Sequence, residues 1–353
     1  MREPDFSEAL GRLAAYSMII LTEDTVAVHR LVQAVTRTPD PTDPHRRPAD
    51  IATGRDSTAI LLLAALSGLD PLTPAAWPAY RMVLPHARAL WEHATPDTDT
   101  TQTNLLLNKL GVYLEGQGDY GTAIDCLIRV RDNGLRLKGP DHPDTLISQN
   151  NLAYAYRAAG DLERAIPLFE AALADSERVL GPDHPSTLAS RNNLAYAHES
   201  AGDLGRAIPL FEAALAERER VLGPDHPSTL APRNNLAGAY RAAGDLERAI
   251  PIVEAVLADS ERVLGPDHPG TLTSRNNLAA AYESAGDLER AIPLFEAVLA
   301  DSERVLGPDH PDTLTSRNNL AVAYESAGDL ERAIPLYEAV LANSERVLGP
   351  DLP

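Results

Sequence analysis

The side chains best suited to recognition in this 353-residue chain come as adjacent asparagines: Asn150-Asn151, Asn192-Asn193, Asn234-Asn235, Asn276-Asn277 and Asn318-Asn319. They recur every 42 residues, and an earlier, diverged position carries Asn108-Lys109. A primary amide offers a donor and an acceptor together, so it can match a main-chain N–H and C=O at once. Being neutral, it is cheaper to remove from water than a charge. Asparagine is a poor helix-interior residue, so its repetition inside a helical pattern points to a specific use. Two uses stay open: contact with a bound chain, or a tie between neighbouring repeats, one member of each pair serving each. Beside the pairs lie slots that vary while their surroundings barely do. One reads Tyr154, Tyr196, Gly238, Ala280 and Val322, one helical turn on and on the same face. The next reads Arg157, Glu199, Arg241, Glu283 and Glu325. Variation there either encodes selectivity or is drift on a solvated face.

Other chemistries find less support. His142, His184, His226, His268 and His310 invite a metal reading, but each stands a full repeat from the next with no second ligand at close spacing. That spacing assigns them a structural place in loops, and no metal is expected. Cys126, the single cysteine, falls on an apolar helical stripe and reads as core. One cysteine cannot form an intrachain disulfide, which fits a reducing cytoplasm. No Ser–His–Asp, Cys–His or paired-carboxylate constellation emerges, and no Gly-x-x-x-x-Gly-Lys-[Ser/Thr] phosphate cradle occurs. Neither a catalytic residue nor a cofactor is therefore expected. The formal net charge of −20, with only His45-Arg46-Arg47 as a basic cluster, argues against nucleic acid and anionic membranes as partners. Apolar runs such as Ile60 to Leu66 are too short to span a bilayer, and Met1-Arg2-Glu3-Pro4-Asp5 opens no secretory signal.

The elements that must position the asparagines follow from the same period. Gly-Pro-Asp-His-Pro starts at Gly139, Gly181, Gly223, Gly265 and Gly307, and a broken copy begins at Gly349. In the copy from Pro143 to Leu180, Leu146, Leu152, Ala153 and Tyr156 mark a first helix, A. Gly160 suits the left-handed residue that ends it, and Asp161 the N-cap of the next. Leu162, Ala165, Ile166, Phe169, Ala172 and Leu173 form the stripe of helix B, which Gly181-Pro182 stops. The five-residue run is thus punctuation: helix stop, tight loop, helix start. Helix pairs are expected near 102–138, 144–180, 186–222, 228–264, 270–306 and 312–348. Pro167, Pro209, Pro251, Pro293 and Pro335 fall inside B helices and should bend them. Pro232 should delay the fourth A helix by a turn. A fixed period of this size predicts an all-α solenoid whose core grows in one dimension.

The small–large pattern Leu152, Ala153, Tyr156, Ala165, Phe169 and Ala172 resembles the tetratricopeptide repeat (TPR). The 42-residue form, with its Asn-Asn-Leu-Ala, Gly-Asp, Ala-Ile-Pro-Leu and Leu-Gly-Pro-Asp-His-Pro blocks, is similar to the repeats of kinesin light chains and their bacterial relatives over about residues 101–353. The resemblance implies a right-handed superhelix of about six helix pairs. It also implies that helix A lines a concave groove whose asparagines hold an extended peptide or protein. Candidate contacts are then Asn108, the five pairs, Tyr154, Tyr196, Arg157, Glu199, Arg241 and Glu283.

The first hundred residues read as a helix over 6–15, strands at Ser17 to Leu21 and Val26 to Val28, and a helix over 29–37. Helices near Thr58–Ser67 and Ala75–His93 follow. The pattern Tyr16-Ser17-Met18-Ile19-Ile20, Val28-His29-Arg30-Leu31-Val32-Gln33, Trp77-Pro78 and Leu84-Pro85-His86-Ala87 resembles the segment before the repeats in bacterial STAND (NB-ARC) signalling ATPases. The expected organisation is a winged-helix-like remnant (1–38), a linker (39–57), a helical spacer (58–100) and six repeats (101–353). The resemblance implies the sensor of such an ATPase, with the ATPase module outside this chain. The competing expectation is a self-assembly module using the C-terminal end of the solenoid, which carries no polar capping helix, so that the chain forms homo-oligomers.

Overall fold

The computed structural model describes residues 19–21, 26–28, 40, 42–43, 47–92, 94–224 and 226–348. The helices expected over 6–15 and 29–37, and the broken repeat at 349–353, lie outside them. Fourteen α-helices fall in the described residues: α1 (Pro48–Ala65), α2 (Trp77–Glu92), α3 (Thr101–Gly116), α4 (Tyr120–Lys138), α5 (Pro143–Ala158), α6 (Leu162–Leu180), α7 (Pro185–Ser200), α8 (Leu204–Leu222), α9 (Leu230–Ala242), α10 (Leu246–Val263), α11 (Pro269–Ser284), α12 (Leu288–Val305), α13 (Pro311–Ser326) and α14 (Leu330–Leu348). Strands β1 (Ile19–Leu21) and β2 (Val26–Val28) pair antiparallel with Ile19 opposite Val28. The chain divides into two compact units, Met1–Ala159 and Gly160–Pro353.

The punctuation works through specific caps. The histidine of each Gly-Pro-Asp-His-Pro run caps the helical turn that follows, an A helix in four repeats and a 3-10 turn in the fourth: His142 Nδ1 accepts from Asp144 N at 3.1 Å, and His184, His226, His268 and His310 repeat the bond two residues on. The proline that follows occupies the first turn, where its missing N–H costs nothing. Helix B is capped by aspartate: Asp245 Oδ1 accepts from Arg248 N at 3.2 Å while Oδ2 pairs with that arginine's guanidinium at 2.5 Å. Gly244, at φ 76°, turns the chain between the two helices in a conformation a side chain would strain. The B helices run through their internal prolines. In the fourth repeat a 3-10 turn, Pro227–Thr229, replaces the start of helix A, and α9 begins only at Leu230. Pro232 sits in its first turn.

In the first unit α1 packs on α2 and α3, and α4 on α3 and α5. The helix expected near Thr58 begins at Pro48, ten residues into the presumed linker. Pro48 starts it well, and Asp50 in its first turn favours the positive end of the helix dipole. Tyr80 and Tyr113 stack with centroids 4.9 Å apart. Asp99 is a buried hub. Arg129 Nε donates to its Oδ2 at 2.5 Å and Asn133 Nδ2 at 2.8 Å, while Arg129 also reaches the carbonyls of Trp91 and Ala94.

In the second unit each helix packs on the next, from α6 to α14. Small residues let the helices approach, and in each repeat a large residue of helix B helps fill the space. Ala279, Ala291 and Ala323 are fully buried around Phe295, which is 1 % exposed. Phe169, Phe211 and Val253 take the same place in the earlier repeats. Burying such a side chain stabilises by about 1.5–3 kcal/mol.

Candidate functional site

The A helices carry the asparagines, and the structure divides their labour. Asn151 Nδ2 donates to Asn108 Oδ1 at 3.0 Å, Asn235 to Asn192 at 3.3 Å and Asn319 to Asn276 at 3.1 Å. In these three repeats the second member of the pair ties its helix to the A helix before it. Asn234 donates to Ser274 Oγ at 3.0 Å, and its own Oδ1 is buried without a partner. Asn193 and Asn277 are half-buried and make no side-chain hydrogen bond within the described residues, and Asn318 is exposed. Asn150 reaches the Leu146 carbonyl at 3.4 Å.

Between consecutive A helices of the second unit the surface opens into niches. One, of about 250 Å³, is lined by Leu188, Asn192, Asn193, Arg218, Pro232 and Asn235, among others. Another, of about 110 Å³, lies two repeats on and uses Leu272, Asn276, Ser302 and Ser316 at the corresponding positions. In the first unit Asn151 and Tyr154 share a cavity of about 280 Å³ with Leu72, Val112, Glu115 and Leu127. Burial there raises the Glu115 carboxyl above its ordinary range, and the Arg157 charge partly offsets it. Tyr154 is exposed, with the Arg157 guanidinium 4.5 Å from its ring centre. Tyr196 instead packs edge-on against Phe211 at 5.1 Å. At the charged slot, Arg241 Nη1 reaches Ser284 Oγ at 3.4 Å and Glu283 Oε1 accepts from Ser326 Oγ at 3.4 Å. Burial raises the Glu283 carboxyl. Both charges thus lean on the following repeat.

Two recurring networks escaped the reading of the sequence. Arg233 Nη2 pairs with Glu219 of the preceding B helix at 2.7 Å, and Nη1 with Asp259 at 3.3 Å. Arg191, Arg275 and Arg317 make the same link to Glu177, Glu261 and Glu303. Next, Tyr282 OH donates to Glu254 Oε1 at 2.6 Å, under the Arg290 guanidinium 4.1 Å from its ring centre. Tyr240 with Glu212 and Arg248, and Tyr324 with Glu296 and Arg332, repeat it. The signal was present, since these residues hold the same 42-residue register as the asparagines. In the corresponding place the third repeat has His198, 2 % exposed, whose Nδ1 is buried and unpartnered. Burial, foremost, and Arg206 lower its pKa, against the attraction of Asp203 and Glu170.

The loop histidines act as caps, and no group of residues able to hold a metal ion occurs among the described residues. Cys126 is buried on α4, and burial pushes its thiol up to about 12. No described helix is long and apolar enough to cross a membrane.

The tetratricopeptide repeat model matches residues 102–175, 148–216, 192–258, 229–300 and 277–346. No curated protein matches the chain. Among solved structures, the chain is similar to a Podosopora anserina protein described as a kinesin light chain with nearly identical TPR-like repeats: 36% identity, 58% of this chain and 97% of that one, TM-score 0.48. It is also similar to BtubC of P. vanneervenii, at 22% identity over 66% of this chain and 94% of that one, TM-score 0.52. A third similar structure is NprR in complex with its cognate peptide NprX, at 15% identity over 83% of this chain and 79% of that one, TM-score 0.52.

Proposed function

Because the chain belongs to the tetratricopeptide repeat family, we propose that it is a non-catalytic scaffold that binds an extended peptide or protein segment along its A helices. The observation that carries this is the recurrence of asparagine-lined niches between successive A helices, at Asn192-Asn193-Asn235 and again at Asn276. With one amide of a pair tied to the neighbouring repeat, the unbonded amides of Asn193 and Asn277 are placed to meet a main-chain N–H and C=O. That NprR, of similar fold, holds a peptide supports the class of ligand. The reading also places the chain in a reducing cytoplasm and makes it the sensor of a STAND-type ATPase. The β1–β2 hairpin, in the position expected of a wing, supports the second point.

The test is selection of a random peptide library displayed on phage by the immobilised chain. Wild type is expected to enrich peptides that the N193A/N277A double variant holds at least about tenfold more weakly, at unchanged melting temperature and mass. Equal retention by the variant sinks the groove reading. A second reading rests on α14, where Leu330, Ile334 and Leu341 are exposed although their counterparts Leu288, Ile292 and Leu299 are partly covered. It makes that face a self-association surface. Sedimentation of wild type and L341E decides it: a dimer lost in the variant supports it, and a wild-type monomer at high concentration rules it out.

A further inference from the structure

We propose that the second unit carries a weak joint between α6 and α7, at which the two helices part while the rest of the unit stays folded, and that His198 makes this opening respond to acid.

The unsatisfied polar atoms gather at this joint. Among the described residues of the second unit, four side-chain polar atoms are buried without a partner: Ser176 Oγ, Thr187 Oγ1, His198 Nδ1 and Asn234 Oδ1. The first three sit on α6 and α7, on residues that are almost wholly buried. A polar group that gives up water and gains no partner weakens the interface that buries it.

The later boundaries between a B helix and the next A helix close with two ties that this one lacks. Thr229 Oγ1 donates to the Pro224 carbonyl at 3.0 Å, Thr271 Oγ1 to the Gly265 carbonyl at 2.7 Å and Thr313 Oγ1 to the Gly307 carbonyl at 2.8 Å. Each bond pins the start of an A helix to the loop leaving the B helix. Thr187 holds the same register, and its hydroxyl is unpartnered. The second tie is the hydroxyl–carboxylate bond of Tyr240 to Glu212, Tyr282 to Glu254 and Tyr324 to Glu296. At α6 and α7 the corresponding residues are Glu170 and His198, with no hydrogen bond between them among the described residues. Helix packing and the Arg191–Glu177 ion pair still hold the two helices together. That glutamate is exposed, so water screens the pair and it contributes little.

The charged groups around His198 are Glu170 on α6, Asp203 at the N-cap of α8 and Arg206 on α8. Arg206 is already paired with Asp203 at 2.5 Å. Burial, with Arg206, outweighs the two carboxylates and lowers the histidine pKa while the joint is closed. In an open joint the ring stands in water and takes a proton near its ordinary value of about 6.5. Acid therefore draws the joint open. The effect sets in as pH falls through that value and stops growing below the lower, closed-state one.

The experiment measures opening in the full chain, in a C126A background, through one cysteine at a time: S176C on α6 or S302C at the same register on α12, both at buried serines. Ser176 Oγ is unpartnered, so S176C breaks no hydrogen bond. The probe is 4,4′-dithiodipyridine, which reads thiols in acid as well as at neutral pH. S176C is expected to label at least about tenfold faster than S302C at pH 7.5 without denaturant. That ratio should grow, by up to about tenfold, on going to pH 5.5. H198Y, which restores the tyrosine of the later repeats, should slow S176C by about tenfold and leave S302C unchanged. H198F, which cannot titrate, should flatten the pH dependence of the ratio. Equal labelling of the two cysteines, a ratio that falls with acid, or an H198Y change shared equally by both sites each overturns the proposal. Should H198Y fail to fold, H198F decides, and an acid response kept in that variant overturns the role of His198.

Discussion

The Tyr282 hydroxyl donates to Glu254 Oε1 at 2.6 Å, joining the A helix of one repeat to the B helix of the repeat before. The phenol is held above its ordinary pKa by burial first and by this bond second. Its ring also carries the Arg290 guanidinium. One side chain thus joins two repeats by a charge-assisted hydrogen bond, and the two helices of its own repeat by a cation–π contact. Tyr282→Phe removes only the hydrogen bond. Glu254 is exposed and can return to water, so the cost is expected to be about 1 kcal/mol in urea unfolding. Tyr282→Ala also leaves a cavity and should cost about 3 kcal/mol or more. Equal losses in the two variants would assign the whole effect to the hydroxyl and contradict this division.

His198 stands where the following repeats have that tyrosine; its Nδ1 is buried and unpartnered, and it makes no hydrogen bond to Glu170 among the described residues. Its pKa is lowered in the folded chain, chiefly by burial. The unfolded chain then takes up a proton that the folded chain resists, so stability falls as pH drops below the unfolded histidine value of about 6.5. The loss continues until the lower folded value is passed. His198→Tyr should remove that part of the acid sensitivity and, with Glu170 in place to accept, raise stability by about 1 kcal/mol. Melting temperatures of both proteins between pH 5 and 8 check this. Parallel curves would show that His198 does not set the slope.

What the sequence made legible was the local part. Gly-Pro-Asp-His-Pro announced a helix stop and a helix start because capping chemistry acts within three or four residues. Pro232 announced the late start of α9 for the same reason. The asparagine pairs were visible as a repeat, but which member ties repeats together depends on how far one A helix is rotated against the next, and no local rule supplies that. The Arg233–Glu219 and Tyr282–Glu254 links were missed on the same ground: the partners sit on different helices, and their separation in sequence has no meaning until the helices are stacked. The helix from Pro48 was read as linker because prolines and charges dominate residues 38–50, although Pro48 and Asp50 are also good first-turn residues.

Cys126 gives a direct check on the packing of the first unit. Burial pushes its thiol up to about 12, so almost none of it is thiolate at neutral pH. Labelling by iodoacetamide at pH 8 should be at least about a hundredfold slower in the native chain than in urea. It should follow the opening of the unit rather than the chemistry of the thiol. Fast native labelling would show that α4 does not pack against its neighbours as described.

The five histidine caps predict a loss that depends on the atom and not on the ring. His268 Nδ1 accepts the Gly270 N–H at 3.0 Å, satisfying one of the donors left open at the start of α11. Alanine removes the acceptor and should cost about 1 kcal/mol, as for other lost N-caps. Asparagine keeps an acceptor on a short side chain in the extended backbone that His268 already has, at φ −71° and ψ 136°. His268→Asn should therefore retain most of the stability that His268→Ala loses, measured on the same urea transition. His268→Phe keeps the ring volume without the acceptor and should behave like alanine. If phenylalanine instead preserves stability, the ring acts by packing, and the repeated histidine is a spacer and not a cap.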